Sequence, residues 1–215
     1  MPCTAPDRIA EITIRSAVRG EETRIASFQA ESLRMLACGA YTPAVIDQFI
    51  ADVGTMPADL ISSGRLFVLE SQGEIVATGG WCWRQANGEP TSHRPAPNDD
   101  ADDPEQVSVR RGNDGTVAEI TAIYVDPIYT RTGLASWLLG SLEADIARTG
   151  INTVRIAATL NGLPLCQRNG YRPYRIMSLR LSSGAAFATI GLVKSVETSG
   201  QSGGVRAPHH RHAHA

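Results

Sequence analysis

Hydrophobic positions change their period several times along the chain, and the changes divide it into elements. Residues 9–15 alternate, with Ile12 and Ile14 on one face and Thr13 and Arg15 on the other, as in a half-buried strand. Gly20 followed by Glu21 and Glu22 then opens a helical pattern, with acids placed to suit a helix N-terminus. Ile25, Phe28, Met35 and Leu36 are its expected buried side, and Gly39 its end. Thr42-Pro43 reads as an N-cap with proline at the first helical position, starting a short helix through Ile50. Another short helix is compatible with the residues from Pro57 onward.

Residues 65–70 and 74–83 read as two strands joined at Ser71-Gln72-Gly73, a hairpin signal. Residues 84–115 break every period. They are rich in proline and carry Asp99, Asp100, Asp102, Asp103 and Glu105, which predicts a flexible, solvated insertion with one short strand at 107–109. Residues 117–125 form the expected central strand. Residues 133–148 give the clearest helix: Leu134, Leu138, Leu142 and Ile146 share one stripe and Gly150 supplies a C-cap. A strand at 154–159, a short helix at 164–169 stopped by Gly170, and a hairpin of 171–181 with 187–196 follow. Residues 198–215, rich in Gly, Ser and His, carry no apolar period and are expected to be disordered. The order implies an α/β fold with mixed strand pairing, in one domain spanning residues 1–197.

Composition narrows the function classes. The chain has 215 residues and a formal net charge of -2, so a general polyanion-binding or nucleic-acid-binding role is not expected. Cys3, Cys38, Cys82 and Cys166 are widely spaced without a CxxC pair, which fits a reducing compartment better than a disulfide framework. The first residues lack the basic region and apolar run of a signal peptide, and no segment has the length of a membrane span. The expectation is a cytoplasmic protein. His209, His210, His212 and His214 read as a tail with incidental metal affinity, without the rigid frame of a zinc site.

The stretch 116–135, TVAEITAIYVDPIYTRTGLA, carries the chemistry. A strand, a proline-marked turn and a tight loop lead into a helix whose first turn holds Gly133 and Ala135. Such a junction turns several unpaired N–H groups and the positive end of a helix toward one small volume, which suits a phosphate or pyrophosphate. Small residues there let the phosphate approach the backbone. Neither a GxGxxG fingerprint after a strand nor a Walker lysine pattern is present, which argues against other nucleotide-binding families.

With these motifs the chain resembles the GNAT superfamily of N-acyltransferases over roughly residues 11–196. The strongest part is Val125-Asp126-Pro127-Ile128-Tyr129-Thr130-Arg131-Thr132-Gly133-Leu134-Ala135. The family pattern is Arg or Gln, two variable residues, Gly, one variable residue, then Gly or Ala. The Gly133-x-Ala135 half is intact, Thr130 departs from the first position, and Arg131 stands where many members have glycine. A second match is Leu163-Pro164-Leu165-Cys166-Gln167-Arg168-Asn169-Gly170-Tyr171. The resemblance implies acetyl-CoA as acyl donor and a GNAT-like mixed sheet, flanked by helices, that splays between the strands at 117–125 and 154–159. It implies main-chain contacts from Ile123, Tyr124 and Val125 to the pantetheine arm. It also implies a pyrophosphate held at Thr130, Arg131, Thr132, Gly133, Leu134 and Ala135, chiefly through backbone. The implied reaction is direct attack of an amine, entering from the opposite side, on the thioester. A small-molecule primary amine is the expected acceptor, with peptide amines and lysines open, and a homodimer is compatible. A catalytically degenerate acyl-CoA-binding module is the alternative.

Single residues keep two readings each. Asn161 either approaches the cofactor arm or is an ordinary loop residue. Glu119, an acid within an otherwise apolar strand, is a candidate general base if burial raises its pKa; equally it is a solvated residue or an arginine's partner. Cys166 stands where the family often has a tyrosine that protonates the departing thiolate, so it is either that acid or a small helix residue. Tyr171, or Tyr174, is the candidate substitute. Trp81, Trp83 and Tyr41 either line the acceptor pocket or belong to the core.

Overall fold

The computed structural model describes residues 12–85 and 116–197. The expected strand at 107–109, the acidic cluster, Cys3 and the tail at 198–215 lie outside the described residues. Among these residues, seven strands and four α-helices follow in the order β1 (Ile12–Ser16), α1 (Glu22–Leu36), α2 (Pro43–Val53), β2 (Leu66–Ser71), β3 (Glu74–Gln85), β4 (Thr116–Val125), α3 (Leu134–Arg148), β5 (Thr153–Thr159), α4 (Leu163–Arg168), β6 (Arg172–Arg180) and β7 (Ala186–Ser195), with a single 3-10 turn at Pro127–Tyr129 between β4 and α3. The strands form one sheet in the order β1-β2-β3-β4-β5-β7-β6. Every adjacent pair is antiparallel except β4 with β5, the pair joined through α3. A parallel pair needs such a crossover.

Local chemistry explains most boundaries. Gln72 and Gly73 close the β2–β3 hairpin with φ of 53° and 82°, the twin left-handed turn that matches strand twist. The Thr42 side chain accepts a hydrogen bond from the Val45 N–H at 3.4 Å, and Pro43 opens α2. Leu138, Leu139, Leu142 and Ile146 are fully buried along α3. They press on β3 so closely that a Cβ on Gly79 would come within 3.0 Å of Leu142 and 3.1 Å of Leu138.

Three expectations change. Met35 is half exposed, while Gln29 and Ser32 on the same helix are buried, because α1 turns a polar hydrogen-bonding face toward the sheet. The residues from Pro57 form turns rather than a helix. β3 runs on through Arg84 and Gln85, paired with Val117 and Thr116, so the ladder extends into what the composition marks as insertion.

Two irregularities in β4 shape the centre of the sheet. The first is a bulge: Gly80 pairs with Thr121 and Thr78 with Tyr124, leaving an extra residue in β4, with Ala122 at φ 56°. An extra residue reverses which face the following side chains take. Ala118 and Ile120 pack toward α3 before the bulge; Ile123 and Val125 do so after it, and Ala122 and Tyr124 turn to the α1 side. The second is a splay. β4 and β5 pair only at Ala118 with Val154, Glu119 with Arg155 and Ile120 with Ile156, although both strands continue beyond.

Candidate functional site

Past Ile120 and Ile156 the facing edges of β4 and β5 separate, and backbone groups that would have paired line a cavity of about 870 Å³. This volume lies within the range of small-molecule and cofactor sites. α1, α2 and the loop at 54–58 wall it on one side; the start of α3 and α4 wall it on the other.

At one end sits the loop before α3. Gly133 is the N-cap, at φ 90°, and offers no side-chain hydrogen bond to the helix. The N–H groups of the first turn, Leu134, Ala135 and Ser136, have no intrahelical acceptor by the geometry of any α-helix. Arg131, at φ 64°, is also left-handed, so two positive-φ residues flank Thr132 and fold the backbone into an anion-binding concavity. The hydroxyls of Thr130 and Thr132 each donate to a carbonyl one turn back, Pro127 and Tyr129, both at 2.7 Å. Thr130 thus stabilises the turn where the family pattern carries Arg or Gln. Arg131 and Arg168 are the charged residues lining the cavity among the described residues, and both lie at this end.

At the middle, the bulge is fixed by a buried hydrogen-bond chain. The Thr55 hydroxyl donates to Gln29 Oε1 at 2.7 Å, Gln29 Nε2 donates to Thr78 Oγ1 at 3.0 Å, and that hydroxyl donates to the Ala122 carbonyl at 3.1 Å. The Ser32 hydroxyl donates to the Val125 carbonyl at 2.8 Å. The opposite wall is tied to α1 by Asn161, whose Nδ2 donates to the Leu36 carbonyl at 2.8 Å, and by Tyr41. The Tyr41 hydroxyl donates to the Ala188 carbonyl and accepts from the Leu160 N–H at 2.9 Å. At the far end the lining is largely apolar, with Leu33, Leu36, Phe49, Val53, Met56 and Phe187, and Tyr124 packs among them.

The structure brings Ile123, Tyr124, Val125, Thr130, Arg131, Gly133, Leu134, Ala135, Asn161 and Cys166 into this one cavity. Thr132, Glu119 and Tyr171 are not among its lining residues. Glu119 precedes the bulge and is held by Arg84, whose Nε donates to it at 3.1 Å. Burial works against the Arg84 charge, but Glu119 together with Cys82 and Asp59 more than offsets this, and the arginine pKa rises. The partner-of-arginine reading of Glu119 is therefore the one that the geometry matches. Tyr171 is 2% exposed and points into the core beside α3. Burial pushes its pKa far up, with the Glu143 carboxylate adding to the shift, and its hydroxyl makes no hydrogen bond of good geometry. Its ring lies in the core and does not line the cavity.

Cys166 does line the cavity, and burial pushes its thiol up to about 11. It is protonated at neutral pH. Trp81 belongs to the core, its indole N–H donating to Asp145 of α3 at 2.8 Å. Trp83 packs edge-on against it. Tyr41 stacks on the cavity side chain Phe187 from behind, with ring centroids 4.3 Å apart. None of these three aromatics is a lining residue. Sequence reasoning passed over Arg168 and the apolar end. Arg168 lies two residues past Cys166 within a quoted motif, so its position on α4 was the available signal.

Comparison with known proteins agrees with this geometry. The family model described as acetyltransferase (GNAT) family matches residues 31–171, more than half of the chain. A GCN5-related N-acetyltransferase from Rhodopseudomonas palustris superposes with a TM-score of 0.60 at 14% identity, covering 89% of this chain and 100% of its own. The PaiA N-acetyltransferase of Thermoplasma acidophilum, solved with coenzyme A, gives 0.56 at 13% identity over 86% of this chain and 99% of its own. The Drosophila melanogaster polyamine N-acetyltransferase, which forms N-acetylagmatine, gives 0.55 at 14% identity over 86% of this chain and 100% of its own. At these identities the likeness is one of fold. No curated protein sequence gives a significant match.

Proposed function

The chain belongs to the GNAT acetyltransferase family, and on that premise we propose that it transfers an acetyl group from acetyl-CoA to a primary amine on a small molecule. The observation that carries this reading is the splay of β4 from β5, which opens a continuous cavity ending on the cationic, N–H-rich start of α3. Relatives of the same fold include one solved with coenzyme A and one that acts on polyamines, which supports both halves of the reaction.

In this reading the pyrophosphate lies against the backbone of 131–136, with the Arg131 and Arg168 side chains toward the phosphates. The pantetheine amides pair with the free edge of β4 at 121–125, as a strand would. This leaves the thioester near the bulge, where the Ala122 carbonyl is already occupied by Thr78. The amine nitrogen attacks the thioester carbonyl, the C–N bond forms and the C–S bond breaks. One proton leaves the nitrogen, and coenzyme A departs as thiolate or thiol. Cys166 is protonated and so is unsuited to act as a nucleophile, which favours direct attack over an acyl-enzyme. Its pKa lies above the ordinary thiol value, so its role is a weak S–H hydrogen bond to the departing sulfur rather than full proton transfer.

The test is calorimetry with acetyl-CoA on wild type, Gly133→Ala and Gly133→Glu. A side chain at Gly133 meets nothing within 4 Å, so the alanine isolates the backbone strain. The glutamate adds a charge that disfavours a phosphate by ~1–4 kcal/mol at contact distance. Binding retained by the alanine variant and lost by the glutamate variant is expected. Equal binding by all three would remove the pyrophosphate from this loop.

A further inference from the structure

The cavity has two chemically opposite ends, and the second one selects the acceptor. Both charged lining residues among those described are arginines, and both sit at the α3 end. Among the described residues the lining contains no Asp, Glu or His at all. The far end is walled by Leu33, Leu36, Phe49, Val53, Met56 and Phe187. Phe187 is held rigidly between Tyr41 and Phe49, with centroid separations of 4.3 and 4.1 Å. The Ser32 and Thr55 hydroxyls beside this end already donate to Val125 and Gln29, and Tyr124, packed among the same side chains, adds a phenol and not a carboxylate.

An acceptor with a second ammonium would bring that charge against an apolar wall in which no described residue is a carboxylate, and a buried charge without a partner is strongly disfavoured. The reacting amine meets the same condition. An ammonium cannot attack a thioester, and no described lining carboxylate can take its proton. It must enter as the free base, and a low-dielectric chamber itself favours the neutral form. Resting on the acetyltransferase reading above, we infer that the acceptor is a primary amine, bound as the free base, on an apolar aryl or alkyl body without a second cationic group. Polyamines, agmatine and other polycationic amines are excluded as good substrates.

The experiment is thiol release from acetyl-CoA by the full chain, with calorimetry of acetyl-CoA run in parallel. The amine panel sets 4-methylaniline, benzylamine and alkylamines of increasing length against putrescine, spermidine and agmatine. Apolar monoamines are expected to exceed the polyamines at least a hundredfold in kcat/KM, with about fourfold per added methylene until the chamber is full. The pH limb of kcat/KM is expected to move with the pKa of each amine, because the proton is lost in solution. Met56→Glu, in a loop at the far end, and Val53→Asp, at the end of α2, should each raise polyamine turnover relative to benzylamine at least tenfold.

Polyamines used as well as monoamines would overturn the inference and leave the acetyltransferase reading standing. So would a pH limb that stays fixed across amines, because it would reveal an enzyme base. Rates that climb with acyl-CoA chain length instead of amine length would assign the apolar end to the acyl group, again overturning it. Acetyl-CoA bound without thiol release for any amine would overturn the inference and favour the binding-module alternative. No binding at all would overturn the acetyltransferase reading itself.

Discussion

Arg131→Gly should make the protein more stable and its donor site weaker. Arg131 holds φ at 64°, a left-handed conformation that costs a residue with a Cβ about 1–2 kcal/mol. Glycine removes that cost but adds about 0.5–1 kcal/mol of unfolded-state entropy. The net gain is about 0.5–1 kcal/mol, or ~1–4 °C in Tm for a chain of this size. No ion pair of the exposed Arg131 side chain is found among the described residues, so little is lost from the free protein. The bound state loses one solvated charge near phosphate, worth about 1 kcal/mol at contact, or roughly fivefold in Kd. Urea unfolding and acetyl-CoA calorimetry at two ionic strengths measure both effects, and the affinity gap should shrink at high salt. Arg131→Ala is the control: it loses the charge, keeps the strain and should weaken binding without stabilising. If Arg131→Gly proves destabilised, or binds acetyl-CoA as tightly as wild type at low salt, the account of this loop is wrong.

Three further outcomes follow from named contacts. Thr78→Val keeps the shape of a fully buried side chain but leaves Gln29 Nε2 without an acceptor and the Ala122 carbonyl without its donor. Denaturant unfolding should show a loss of about 1–3 kcal/mol, with kcat falling more than acetyl-CoA affinity; a loss below about 0.5 kcal/mol would mean that the chain does not hold the bulge. Tyr171→Phe removes a buried hydroxyl that lacks a good hydrogen bond, so stability should hold or rise slightly and turnover should be unchanged, whereas a tenfold fall in kcat would restore Tyr171 as a catalytic group. Glu21 is held down to about 2, first by its hydrogen bonds from Arg15 and against the opposing effect of burial. A lowered acid pKa gives stability that is present above the unfolded value, near 4.3, and is lost as pH falls toward 2. Unfolding free energy should therefore drop across that window in wild type and drop less in Glu21→Gln; parallel curves would remove Glu21 from the acid response.

How much of this was legible in the chain depended on how local each determinant is. The apolar run of β4, the leucine stripe of α3 and the Gly133-x-Ala135 junction are encoded within a few residues, and all three were readable. The mixed pairing of the sheet was readable too, from the order of strands and helices, although which pair runs parallel was not. The helix α1 was found, with Ile25 buried and Phe28 packed against the core as expected, but apolarity also favoured Met35 and missed Gln29, which reaches Thr78 and Thr55 through a contact that no period reveals. β7 lies between β5 and β6, so Phe187 reaches the cavity beside Phe49 only after the hairpin has paired with β5. That step is tertiary, and the apolar end of the cavity was therefore invisible. Glu119 was readable as an unusual acid in a strand, but its partner Arg84 lay in a stretch whose composition suggested insertion.

Backbone strain links the middle of the site to its α3 end. Among the described residues, three non-glycine positions have positive φ: Gln72, Ala122 and Arg131. Gln72 sits in a hairpin turn that requires it. The other two line the cavity, one at the bulge and one before α3. Such residues persist only where their surroundings over-determine them. At Ala122 the restraint is the Thr78 hydroxyl on its carbonyl; at Arg131 it is the pair of threonine hydroxyls closing the turns on either side. Relaxing Ala122 would return β4 to regular alternation and turn Ile123 and Val125 away from α3. Relaxing Arg131 would open the concavity of N–H groups. The strain is thus stored at the two places where regular backbone would pair with its own chain instead of with a ligand, and the same cavity receives both.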